Sequence, residues 1–219
     1  MALFLKSKNY GNLAKELDQV AHDLEELTGV TFEGFLRHSK TCLDRAVNLG
    51  KRIEGENKTI TQRVLAEKAA TGEIQGTSVL IMGVVNHFET IRQHLEKIGQ
   101  VSRTKITDGV LFSNKAVDEL SYLFNSLRDS LRQVHDIFLT DNPILLNYLQ
   151  EKINICRQEA TRFTSEHEER LIKGVCLPQS SSIYLSLTDS LKDILWHMSE
   201  IGQLLAKDPG AGSAEKEVG

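Results

Sequence analysis

Glu166-His167-Glu168-Glu169-Arg170-Leu171-Ile172-Lys173-Gly174 closes one amphipathic run, and Cys176-Leu177-Pro178 with Ser180-Ser181-Ser182 opens the next. Basic residues followed by glycine are what a helix end asks for, and a proline shortly after cannot continue that helix. Downstream, apolar residues fall at Tyr184, Leu187, Leu191, Ile194, Leu195, Met198, Ile201 and Leu205. Steps of three and four put them on one helical face.

Read outward from that stretch, the chain is a series of such faces. Residues 12–27 form a first helix with Leu13, Leu17, Val20, Leu24 and Leu27 inward, and Gly29 is expected to end it. Thr31 would cap a second helix carrying Phe32, Phe35, Leu36, Leu43 and Ala46 up to Lys51-Arg52. Glu54-Gly55-Glu56-Asn57 reads as a polar break, and a shorter third helix follows from Ile60 to Gly72. The fourth runs from about Ile74 through Met82, Phe88 and Ile91, its end blurred between Gly99 and Gly109. Ser113 caps the fifth, and Asn142-Pro143 supplies the cap and first residue of the sixth. The sixth carries Leu149, Ile153, Cys156, Ala160, Phe163 and His167, and the seventh is the one above.

Without the first helix, two sets of three remain in the same order. Phe88-Glu89-x-Ile91-x-x-His94 sits beside Leu191-Lys192-x-Ile194-x-x-His197, and each reaches an Ile-Gly-Gln. The offset between His94 and His197 is 103 residues, and it recurs between Gly99 and Gly202. A shared offset argues for duplication. The expected fold is all-α: two tandem three-helix bundles with an extra N-terminal helix. The divisions fall at residues 1–30, 31–109, 110–207 and a disordered tail at 208–219.

Composition narrows the function. With 219 residues, a net charge of −4 and no basic excess, nucleic acid is not an expected partner. No apolar run approaches a membrane span, and no cleavable leader is apparent. The three cysteines, Cys42, Cys156 and Cys176, lack metal-ligand spacing, so a reducing cytoplasm is the expected location. Cys156, on an apolar face, reads as a small core residue. Phosphate loops, nucleophile elbows and His-Glu-x-x-His are missing from the sequence, and an enzyme is not expected.

His167, Arg170, Leu171 and Gly174, with the two heptads, resemble the PhoU-like family of phosphate-uptake regulators. The likeness is nearest to the PhoU-type domain of sodium/phosphate cotransporters, over residues 31–205. The resemblance implies a non-enzymatic regulator acting by contact with a phosphate transporter or sensor kinase. Any membrane association would come through that partner, or the chain would be cut from a cotransporter. It also implies iron or zinc clusters held by Glu-x-x-x-Asp pairs in each third helix. Here the first pair is Glu89 with Gln93 and the second is Lys192 with Trp196, so a cofactor is not expected.

Two candidate sites remain. A degenerate metal site would use Glu89, Gln93 and His94, with His87 two turns from His94. A partner contact would use Trp196, Lys192 and His197, since a tryptophan on a polar face is a natural anchor. His167 is expected inside the bundle, and Asp118, Glu119, Asp129, Glu166, Glu168 and Glu169 on solvated faces. The alternatives are a metal-binding bundle, and a structural homodimer joined through the apolar face of the first helix.

Overall fold

A computed structural model describes residues 11–71, 76–140 and 142–206. Six helices and no strand are found among them: α1 (Gly11–Leu36), α2 (Lys40–Thr71), α3 (Gly76–Thr107), α4 (Asn114–Thr140), α5 (Pro143–Ile172) and α6 (Pro178–Ala206). The N-terminal residues 1–10, the expected end and start at Gly72 and Ile74, and the tail lie outside the described residues.

The duplication extends to every helix. Lys40 and Pro143, which start α2 and α5, are 103 residues apart, the same offset that relates the α3 and α6 heptads. Among the described residues each repeat is three helices, and the expected separate N-terminal helix is part of α1. Gly29 does not stop it. A Cβ there would meet the Arg128 guanidinium of α4 at 3.1 Å, so the glycine makes room for a side chain crossing from the other repeat. Arg128 crosses to reach Glu25, 2.7 Å away and one turn back along α1. Thr31, expected as a cap, is buried inside α1.

The break at residues 54–57 is absent for a similar reason. Glu54 and Gly55 face solvent along α2, while Asn57 is buried and donates to Glu89 on α3 at 3.2 Å. Local polarity read as a loop is the outer face of a long helix. At 26 to 32 residues for α1 and α2, the rods are about 39–48 Å long.

Chain turns follow local chemistry. The α3 end is closed by Gly109 at φ 63, with Val110 N bonded to Lys105 O and Gly109 N to Ile106 O. Gly174 repeats this after α5 at φ 69, with Val175 N to Arg170 O and Gly174 N to Leu171 O. Both are left-handed caps that glycine adopts without steric cost. His38 takes the corresponding place after α1 at φ 51. Its ring lies beside Lys105, whose buried ammonium donates to Phe35 O at 3.1 Å and sits over the Phe35 ring. Ser113 and Asn142 cap α4 and α5 as expected.

Within each repeat all three helices touch, and the repeats join along two seams, α1 with α4 and α3 with α6. Both seams are antiparallel. Contacts pair Asp18 with His135, Gly29 with Arg128 and Phe32 with Phe124 on the first. On the second they pair Gly83 with Leu204, His87 with His197 and His94 with Asp193. Residues 103 apart meet on each seam: Glu25 with Arg128, and His94 with His197. A pseudo-two-fold axis relates the repeats and passes near both pairs. Leu13, Leu17, Val20 and Leu24 are buried in this shared core, so the face proposed for dimerisation is already covered.

Candidate functional site

The repeated heptads come together at the α3–α6 seam, where their histidines form a cluster. His87 and His197 face each other with Nδ1 atoms 2.8 Å apart, one ring donating and the other accepting. The His94 ring lies 6.0 Å from that of His197, and its Nδ1 is 3.7 Å from an Asp193 carboxylate oxygen. Trp196 stands edge-on to both His87 and His197 and covers the pair from outside, 44% exposed.

Burial pushes the pKa of all three rings below the usual histidine range. For His197 the neighbouring His87 and His94 add to this, lowering it to about 4, with Asp193 opposing. His87 is lowered by burial against Glu200, and His94 by burial and Lys97 against Asp193. A ring whose folded pKa is depressed contributes stability above its unfolded value, about 6.5, and loses it as pH falls toward the folded value. The melting temperature should therefore fall as pH drops from 7 to 5, by about 5 °C. Scanning calorimetry of the parent and of a His87→Asn, His197→Gln variant checks this. The seam histidines are responsible only if the variant has a shallower pH dependence.

The expected metal set does not assemble. Glu89 points away from the histidines, and its carboxylate accepts from Arg92 at 2.6 Å, Gln93 at 3.1 Å and Asn57 at 3.2 Å. Arg92 also reaches Glu96 at 3.0 Å, so a guanidinium lies where two carboxylates could have faced a cation. His94 turns to the α6 side instead. In the second repeat Lys192 pairs with Asp189 at 2.7 Å. The donor set does not fit the clusters that the resemblance implies. Among the described residues, no group of three His, Cys, Asp or Glu side chains is placed to hold a metal ion.

The expected contact set is divided. Trp196 and Lys192 lie toward the surface, but His197 turns into the seam. Asp193 and Asn57 were missed as partners of His94 and Glu89. The sequence signal for Asp193 was the 103-residue offset, which places the third helices in equivalent positions; Asn57, on α2, had none.

A second polar cluster lies where α4, α5 and α6 meet. Glu119, read as solvated, is 2% exposed. Its carboxylate accepts from Arg170 at 2.8 and 3.1 Å and from the Tyr184 hydroxyl at 2.6 Å, with Lys115 at 3.4 Å. His167 is interior as expected, but it meets the opposite helix by stacking on Tyr184, with ring centroids 3.9 Å apart. Cys156 is a core residue, and burial pushes its thiol up to about 11.

No protein-family model, no curated protein and no solved structure matches this chain. No helix among the described residues is long and apolar enough to cross a membrane.

Proposed function

We propose that this chain is a non-enzymatic, PhoU-like regulator of phosphate uptake that works by docking on a transporter or sensor kinase. The phosphate role rests on the resemblance carried by His167, Arg170, Leu171, Gly174 and the paired heptads. The contact role rests on one observation: the only tryptophan is held half out of the surface at the junction of the two repeats. A tryptophan in that position offers a large apolar contact at small ordering cost. The antiparallel seams behind it form a rigid platform, so a docked partner would meet a preformed surface. The proposed location is the cytoplasmic face of the membrane, reached through the partner.

Cells lacking the chain should show altered phosphate uptake, restored by the parent but not by Trp196→Ala. Because the indole is half exposed, that variant should lose less than about 1 kcal/mol of stability. A photo-crosslinking residue at position 196 should capture the transporter or kinase. Uptake unaffected by removal of the chain would end the phosphate reading. Full rescue by Trp196→Ala would move the contact elsewhere.

A further inference from the structure

Between α2 and α3 of the first repeat lies a cavity of about 170 Å³ that reaches in to Leu27 of α1. Leu27, Leu43, Ala46 and Leu95 on its wall are all buried, so its interior is apolar. Two glycines border it, Gly50 on α2 and Gly99 on α3. A Cβ at Gly99 would meet nothing within 4 Å, and one at Gly50 would meet only Arg92 Nη1, at 3.9 Å.

The second repeat shows what it takes to close this space. The counterparts of Ala46, Val47 and Gly50, 103 residues on, are Leu149, Gln150 and Ile153. Leu149 and Ile153 are fully buried. Gln150 lies over Gly202, the counterpart of Gly99, and donates to Ser199 O at 2.9 Å. The first repeat carries a smaller side chain at each of the three positions. Interiors pack closely wherever side chains can fill them, and here they do not.

One polar group is held at the wall. Arg92 is 8% exposed and lines the cavity, and its approach to Gly50 places Nη1 there. Nη1 donates to Glu96 at 3.0 Å, and its second N–H has no acceptor among the described residues. The surrounding charges are already matched. Glu89 and Glu96 engage Arg92, and Asp44 engages Arg103 at 2.7 Å. Lys51 and Glu54, exposed and of opposite sign, stand one turn apart on α2. An ion entering would lose its hydration with no unmatched charge to offset the loss.

We propose that this cavity binds a small neutral molecule with an apolar body about the size of a benzene ring and a single hydrogen-bond acceptor. The body lies against Leu27, Leu43, Ala46 and Leu95, and the acceptor takes the second N–H of Arg92 Nη1. An apolar cavity of this volume takes a benzene-sized guest. Trp196 is not on its wall, and the site does not depend on the contact role proposed above.

Acetophenone titrated into the full chain tests this by calorimetry and amide NMR, with benzoate and benzylamine as its anionic and cationic counterparts. Acetophenone should bind with a Kd of about 1 mM or tighter, shifting the amides of Gly50 and Gly99 and the Arg92 side-chain N–H. Each ion should bind at least about tenfold more weakly. Val47→Gln copies the second repeat at a position already 42% exposed, and Gly99→Leu fills the space from α3. Both variants should keep the helical circular dichroism of the parent and weaken acetophenone at least about tenfold. Equal binding of either ion, unchanged affinity in either folded variant, or no shift at about 10 mM acetophenone would each overturn the proposal.

Discussion

Glu119→Ala should lower the stability of the folded chain by about 3–5 kcal/mol. The carboxylate is the common acceptor for Arg170 and Tyr184, which come from α5 and α6, so its removal leaves the buried Tyr184 hydroxyl without its acceptor and leaves the part-buried Arg170 with Glu166, 3.9 Å away, as its remaining counter-charge. Glu119→Gln keeps an acceptor oxygen in place and should cost less, although Arg170 then loses its counter-charge. The double replacement Glu119→Leu with Arg170→Leu removes both charges together and should recover much of the loss. Urea unfolding of the four proteins measures all of this. A shift below about 1 kcal/mol for Glu119→Ala would mean that Arg170 escapes to solvent and that the network contributes little.

Phe124→Ala should be comparably damaging, at about 3–5 kcal/mol. The ring is fully buried on α4 and stacks on Phe32 of α1, with centroids 4.6 Å apart and Phe35 at 6.5 Å. Truncation leaves a cavity on the α1–α4 seam that two helices fixed elsewhere along their length cannot close. The melting temperature should drop by roughly 6–20 °C. Phe124→Leu keeps most of the volume and should lose much less. If α1 were an appendage outside the bundle, the two variants would behave alike, so the pair also tests its place in the core.

Much of the fold could be read from local pattern. The faces of α4, α5 and α6 were legible because their apolar residues recur in steps of three and four, and Ser113, Asn142 and Pro143 act within one turn of themselves. The first repeat was harder. Gly29 and the 54–57 stretch carry the residues of a helix end, yet both lie inside helices. Glycine in a helix costs about 1 kcal/mol, a penalty that Arg128 packing across Gly29 can offset and a sequence pattern does not show. The matched glycines Gly99 and Gly202 differ in the same way. A Cβ at Gly99 would meet nothing within 4 Å, whereas one at Gly202 would lie 2.2 Å from Gln150 Nε2, which bonds to Ser199 O.

The candidate site was legible in part. His94 and His197 were paired by their shared offset, and Trp196 stood out on a polar face. Their orientation was not, because a residue near the edge of a helical stripe faces whichever helix packs beside it. His94 turned to α6 and Glu89 to α2, although they lie five residues apart on one helix. By itself the sequence determined the all-helical class, the caps of α4 and α5 and the duplication, since each follows from residues within a few turns or from self-similarity. Only the tertiary structure decided that α1 is continuous, that Glu119 is buried and that the histidines meet. Those outcomes depend on side chains from helices distant in sequence, which desolvate a carboxylate or occupy the space over a glycine only after the two repeats have packed.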